Sequence, residues 1–279
     1  MRERLTYSAH TSYGGKFAKC ALSTMIVAFG HEGARDKPRD AWGMGLSRKK
    51  YTTEERIRII ASFVRAAAHI IETDGFGGIS IRRVASDAGY NSATMYLYFK
   101  DLDELITLAC VTYLKDYCHE LANTADQMQT AEQTYVHTWE VFCRYAFSLP
   151  EVFHHLFFAE HSVDLNKTVD RYYRIYPNFL DSLDGVINDM LHAGELHDRN
   201  LSVLEPLAEE GLIRSCDVAL INELTVAYFG KMLAQRCKQL HDKSGGPGES
   251  PEDVGTCDVE IVSELTAKFM EAVHFLLVK

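Results

Sequence analysis

Apolar residues recur every three to four positions along most of this chain from residue 53 onward, and strict alternation is almost absent. That period belongs to amphipathic helices and argues against strands. Thr53 is the expected N-cap of a first helix, ahead of Glu54, Glu55 and Arg56; Ile57, Ile60, Ala61, Val64, Ala68 and Ile71 trace its apolar face and Gly75 ends it. Ser80 opens a short helix over about 80–88 with Ile81, Val84, Ala85 and Ala88 on one side. Gly89 supplies a left-handed corner, and Asn91 or Ser92 begins another helix over about 91–98. Beyond Asp101 the spacing predicts helices over 102–123, 131–148, 151–161, 166–194, 202–213, 216–241 and 258–278, with breaks at 123–130, Pro150, Asp164, 194–200 and 243–255. The expected class is all-α: a three-helix N-terminal unit and a larger helical C-terminal unit.

Composition adds a division along the chain. With 279 residues and 47% hydrophobic content there is enough apolar material for a substantial core. Residues 1–47 show no sustained period and are punctuated by Gly14, Gly15, Gly30, Gly33, Pro38, Gly43 and Gly45, so they are expected to be a disordered extension. A second reading is that Met44 is the natural start, leaving residues 1–43 outside the natural product. Residues 48–101 form the expected small domain, and 102–279 the larger one with a flexible loop at 243–256. The net charge is -10, yet residues 48–100 carry nine basic against five acidic side chains. A positive module on a strongly acidic body confines attraction for a polyanion to one end. The seven cysteines include no C-x-x-C pair, which suits reduced, buried thiols and a cytoplasmic location. The apolar run Ala21 to Phe29 is far too short to span a membrane.

The segment 80–100 carries the chemistry. Two short helices about a glycine corner form a helix-turn-helix, with Thr94, Tyr96, Tyr98 and Lys100 suited to phosphate oxygens and base edges. Ser80-Ile-Arg-Arg-Val-Ala-Ser-Asp-Ala-Gly-Tyr90, then Asn91-Ser-Ala-Thr-Met-Tyr-Leu-Tyr-Phe-Lys100, then Asp101-Leu-Asp-Glu-Leu105, resembles the TetR family of bacterial transcription regulators over about residues 53–106. The resemblance implies that Ser80, Arg82, Tyr96, Tyr98 and Lys100 hold the phosphate backbone of a double-stranded operator. It places Ser92, Ala93, Thr94 and Leu97 against base edges, with Ala93 and Leu97 able to meet thymine methyls. Phe99 is expected to pack inside the module; for Tyr96 packing and DNA contact stand as equal alternatives. The sequence departs from the family pattern at Leu102, where a phosphate-touching lysine is usual; Lys100 or the arm Arg48-Lys49-Lys50 would replace it.

The resemblance also implies a larger domain that binds a small-molecule effector. Aromatic residues crowd the middle helices, among them Phe153, Phe158, Tyr172 and Phe179, and Phe142, Tyr145, Phe157, Tyr173 and Tyr176 are the candidate contacts for an apolar or aromatic ligand, with core packing as the alternative. Stripes at Ile221, Leu224, Tyr228 and Met232 and at Val262, Leu265, Phe269, Val273 and Leu276 suit a four-helix bundle shared with a second copy, or else intrachain core. His154, His155, Glu160, His161 and His137 lack metal-ligand spacing, so neither a metal nor a cofactor is expected. There is no P-loop, Gly-x-Ser-x-Gly, His-Glu-x-x-His or dinucleotide turn, and catalysis is not expected. The leading expectation is a dimeric, ligand-responsive repressor at a palindromic operator. A sequence-tolerant DNA-binding accessory protein without an effector is the alternative.

Overall fold

Eleven α-helices follow one another among the described residues of the computed structural model, which are 51–160, 162, 165–176, 194–243 and 251–278. The extension 1–47, the arm Arg48-Lys49-Lys50, His161, Asp164, Phe179 and most of the expected helix 166–194 lie outside them. No strand occurs among the described residues.

Helix α1 (Thr53–Asp74) starts one residue earlier than its expected cap implies. Thr52, not Thr53, is the N-cap: its hydroxyl accepts from the Glu55 amide at 3.1 Å, and the Glu55 carboxylate accepts from the Thr52 amide at 2.8 Å. Reciprocal capping needs an acidic residue three positions on, and only Thr52 has Glu55 there. Helix α2 (Ile81–Asp87) is capped by Ser80. It stops at Gly89, whose φ of 79° permits the Tyr90 amide to reach the Ala85 carbonyl at 2.8 Å while the Gly89 amide reaches Ser86 at 3.0 Å. Helix α3 (Ser92–Met95) is shorter than the expected 91–98. After one α-turn it tightens, with Leu97 donating to Thr94 at 3.2 Å and Tyr98 to Met95 at 3.0 Å. α2 packs against α1 and α3 against α2, and Phe63, Val64, Val84, Met95 and Phe99 are buried in the shared core.

The expected helix 102–123 is two. α4 (Leu102–Cys110) and α5 (Leu114–Thr124) flank a 3-10 turn at Val111–Tyr113, where consecutive β-branched residues meet and the Thr112 hydroxyl is bonded to Tyr172. Asp101 caps α4 through the Glu104 amide at 2.8 Å. α4 lies against α1 of the head and against later helices of the body, so it belongs to both cores. The body continues with α6 (Ala131–Ser148), α7 (Pro150–Phe158), α8 (Leu165–Ile175), α9 (Leu196–Glu209), α10 (Val218–Lys243) and α11 (Pro251–Leu277).

Two breaks expected from sequence are helical. Glu195 and Asp198 cap α9 reciprocally, so most of 194–200 is helix, and Asn200 is buried within it. Pro206, which has no amide hydrogen to donate, sits inside the same helix. α11 opens at Pro251, a residue suited to a first helical turn, so 251–256 of the expected loop is helical; 244–250 lie outside the described residues.

Rings fill the body core. Trp139 has its centroid 5.5 Å from Phe142, 5.4 Å from Phe229 and 5.0 Å from Phe269, joining α6, α10 and α11. Such tilted and edge-on pairs add about 0.5–1.5 kcal/mol each beyond area burial. At Gly230 an added Cβ would lie 2.7 Å from the Phe158 ring, so the bare backbone lets α7 approach α10. Arg236 is buried where α6, α10 and α11 meet, donating to Asp258 at 2.9 Å and to the Phe147 carbonyl at 3.3 Å.

Candidate nucleic-acid interface and effector cavity

The helix-turn-helix turns its side chains in two directions. Val84, Ala85, Met95 and Phe99 are buried, which fixes the module, and Phe99 packs as expected edge-on to Phe63 at 6.1 Å. Tyr96 and Leu97 are 54% and 67% exposed, although both are large and mainly apolar. Internal packing therefore does not account for Tyr96. Ser80, Arg82, Ala93 and Lys100 are exposed, while Ser92, Thr94 and Tyr98 are partly covered. Arg82 and Arg83 are both exposed, but Arg83 is already engaged within the protein. Arg83 pairs with Asp74, holding that carboxyl below its ordinary range, and donates to the Gly78 carbonyl at 3.2 Å.

Asn91 organises the front of α3. Its side-chain oxygen accepts from both the Thr94 amide at 2.9 Å and the Thr94 hydroxyl at 3.0 Å. The Thr94 hydroxyl proton is thus committed, and the group is left to accept a hydrogen bond from a base amino group or a water. Lys100 projects beyond the end of this turn, and its own amide donates to Glu104 at 2.5 Å. Partial burial raises the Tyr98 phenol above its ordinary value, so it stays a neutral donor.

The second concavity lies in the body. A cavity of about 30 Å³ is lined by Tyr117, Trp139, Phe142, Phe157, Arg199 and Asn200, with Thr138, Leu196 and Val203 completing its wall. Of the five expected ligand contacts, Phe142 and Phe157 line it. Tyr145 stands one ring behind, 6.0 Å from Tyr117. Tyr173 packs edge-on to Tyr172 at 6.4 Å, and Tyr176 lies tilted against Tyr172 at 4.8 Å and donates to the Ala61 carbonyl of the head.

Sequence reasoning missed the polar members of this wall. Arg199 lies over the Phe157 ring at 5.7 Å and donates to the Gly194 carbonyl at 3.2 Å; burial brings its guanidinium down to about 10. Asn200 accepts from the Trp139 indole at 2.8 Å and donates to Asn222 at 2.8 Å. The histidines have other occupations. His137 is bonded to Thr124 at 2.7 Å, His155 lies 3.4 Å from Asp103, and His154 faces the Phe158 ring. Among the described residues no three His, Cys, Asp or Glu side chains are placed to hold a metal ion, and no helix is long and apolar enough to cross a membrane.

Among the described residues the chain thus joins a small helical head bearing a helix-turn-helix to a larger helical unit with a small aromatic-lined cavity. Residues 63–108 match the family described as bacterial regulatory proteins, tetR family. No curated protein matches. Among solved structures, the chain is 15% identical to Thermus thermophilus FadR, a TetR-family transcriptional repressor in complex with lauroyl-CoA, covering 69% of this chain and 97% of that one at a TM-score of 0.41. A transcriptional regulator FadR from Bacillus subtilis with stearoyl-CoA is 14% identical over 74% and 97% of the two chains, TM-score 0.40. A TetR-family regulator from Marinobacter aquaeolei is 16% identical over 79% and 98%, TM-score 0.38. These likenesses say nothing of this chain's own ligand.

Proposed function

We propose that the protein is a dimeric repressor that reads a palindromic operator through α3 and yields to a small apolar or aromatic effector bound in the body. The observation that carries the reading is the outward set on α2 and α3. Tyr96 and Leu97 are exposed where a module folding for itself alone would cover them. Ser80, Arg82, Tyr96, Tyr98 and Lys100 hold phosphates in this reading, and Ser92, Ala93, Thr94 and Leu97 face bases. The head corresponds to residues 48–101 and the ligand-binding and dimerising part to 102–279, with α4 shared between their cores.

Dimerisation is supported by what α10 and α11 leave uncovered. Ile221, Met232, Phe269 and Val273 of the two stripes are buried within the chain, whereas Leu220, Leu224, Val259, Phe275 and Val278 remain exposed. A second copy would cover that apolar set. For the effector, the wall of Trp139, Phe142 and Phe157 supplies apolar contact while Arg199 and Asn200 supply orientation. At about 30 Å³ the cavity is well short of the roughly 150 Å³ that admits benzene. A ligand must therefore part the walls, and that requirement gives it different affinities for two arrangements of the body. The thiols of Cys110, Cys118 and Cys143 are buried and unpaired, in keeping with a reducing, cytoplasmic setting.

The test is selection of duplexes from a random library by the full chain, followed by footprinting. The expected result is an inverted repeat whose halves lie about one helical turn, roughly 34–36 Å, or a multiple apart. Recovery of duplexes without a common sequence would overturn it in favour of a sequence-tolerant accessory protein.

A further inference from the structure

Helix α8 reaches from the body and grips the head at the far end of the α3 turn. One terminal nitrogen of Arg171 donates to the Tyr98 carbonyl at 2.6 Å, and the other donates to a Glu104 carboxylate oxygen at 2.5 Å. Its guanidinium lies 4.7 Å from the centroid of the Phe99 ring. The second Glu104 oxygen accepts from the Lys100 amide at 2.5 Å. One side chain of the body therefore fixes Tyr98, Phe99 and, through Glu104, Lys100. The pair is only part exposed, at 27% for Arg171 and 29% for Glu104, so solvent screens it less than a surface pair.

The chemistry suits the place. Carbonyls at the end of a helical turn have no partner within it and carry partial negative charge, and a guanidinium satisfies one of them while keeping its ion pair. α8 itself is anchored at both sides of the junction. Tyr172 is bonded to Thr112 at 3.1 Å, and the Tyr176 hydroxyl donates to the Ala61 carbonyl at 3.4 Å.

We infer that Arg171 is a positioning residue for DNA binding: it holds the corner between α3 and α4 so that Tyr96, Tyr98 and Lys100 present one preformed surface, without touching DNA itself. The inference rests on α3 being the DNA-reading helix. The rival role for this cation is as a phosphate ligand. Both ends of its fork are already engaged on the protein, which argues against that role.

The experiment uses the full chain and a duplex that wild type enriches from a random library, with Kd measured across a salt series. Arg171→Met and Arg171→Lys are expected to weaken binding roughly tenfold or more at each salt concentration, since lysine keeps the charge but cannot make both bonds. The slope of log Kd against log salt should stay that of wild type, because no phosphate contact is lost. Glu104→Gln should weaken binding similarly, and adding it to Arg171→Met should cost little more. Arg174→Met, which removes an exposed cation from the same helix, should leave Kd unchanged. Unaltered affinity in the Arg171 variants, a slope reduced by about 0.9, or an equal loss in Arg174→Met would each overturn the inference. If Arg171→Met does not fold, Arg171→Lys decides on the same criteria, with the folded fraction checked by circular dichroism. Failure of wild type to enrich any duplex would overturn the reading of the head as well, whereas unaltered Arg171 variants of a binding wild type overturn this inference alone.

Discussion

The turn that follows α3 in the head and the ring cluster inside the body use aromatic and large apolar side chains in opposite ways. In the body, Trp139, Phe142, Phe153, Phe229 and Phe269 are all buried and touch one another in a continuous core. In the head, the same class of residue is divided within five consecutive positions: Met95 and Phe99 are buried while Tyr96 and Leu97 face outward. Composition alone would place all of them inside. The difference assigns the body's ring cluster to its own fold, and leaves the outward pair just after α3 as the apolar surface that the proposed function places against DNA.

The sharpest way to break that comparison is to remove a ring from each region. Phe229→Ala, taken from contacts with Trp139, Phe142, Phe147, Phe158 and Phe269, should cost about 3–5 kcal/mol of unfolding free energy in urea titrations. Its folded fraction should still bind DNA. Tyr96→Ala and Leu97→Ala should instead change stability by no more than about 0.5 kcal/mol, while each lowers affinity for a selected duplex by about 1–3 kcal/mol. A stability loss at Leu97 matching that at Phe229 would mean that the outward pair is packed in solution and that the comparison is false.

Alkaline pH sharpens it further. Burial raises the Cys118 thiol from 9.0 to about 12, and Cys110, Cys143 and Tyr117 are also raised by burial. The folded protein holds these acids neutral where the unfolded chain would ionise them. Their stabilising contribution is complete below about pH 9 and is lost as pH rises towards 12, by up to about 1.4 kcal/mol per pH unit for each group. Urea midpoints at pH 7.5, 9 and 10 should be level up to about 9 and fall beyond it. A midpoint that does not move at pH 10 would mean that these thiols are open to solvent.

The head was legible in the sequence because its signals are local. Ser80, Gly89 and Asn91 specify a cap, a left-handed corner and a second cap from residue chemistry alone, and each recurs in the structure. The cap of α1 was misplaced by one residue because Thr52 and Thr53 are the same residue type, and only the reach of Glu55 distinguishes them. The body was legible as helices but not as a site. Asn200 read as a break, since nothing local reveals the Trp139 and Asn222 partners that make its burial tolerable. Arg199 and Arg171 carry no local signal of their roles for the same reason. Which faces of long helices meet depends on tertiary packing, so Phe142 and Phe157 lining a cavity and Tyr176 lying at the junction could not be separated by spacing.

In the proposed function, the brevity of α3 limits how much one head can discriminate. Its four α-helical residues rise about 6 Å, fewer than two base steps at roughly 3.4 Å each, so it samples a very short word of sequence. Words that short recur by chance throughout a genome, and a lone head would dwell on decoys. Selectivity then behaves like a ruler, set by how far apart and at what angle two heads are carried. In the proposed dimer, substitutions deep among the body's rings would redirect which genomic addresses are chosen while leaving every residue proposed to face bases unchanged.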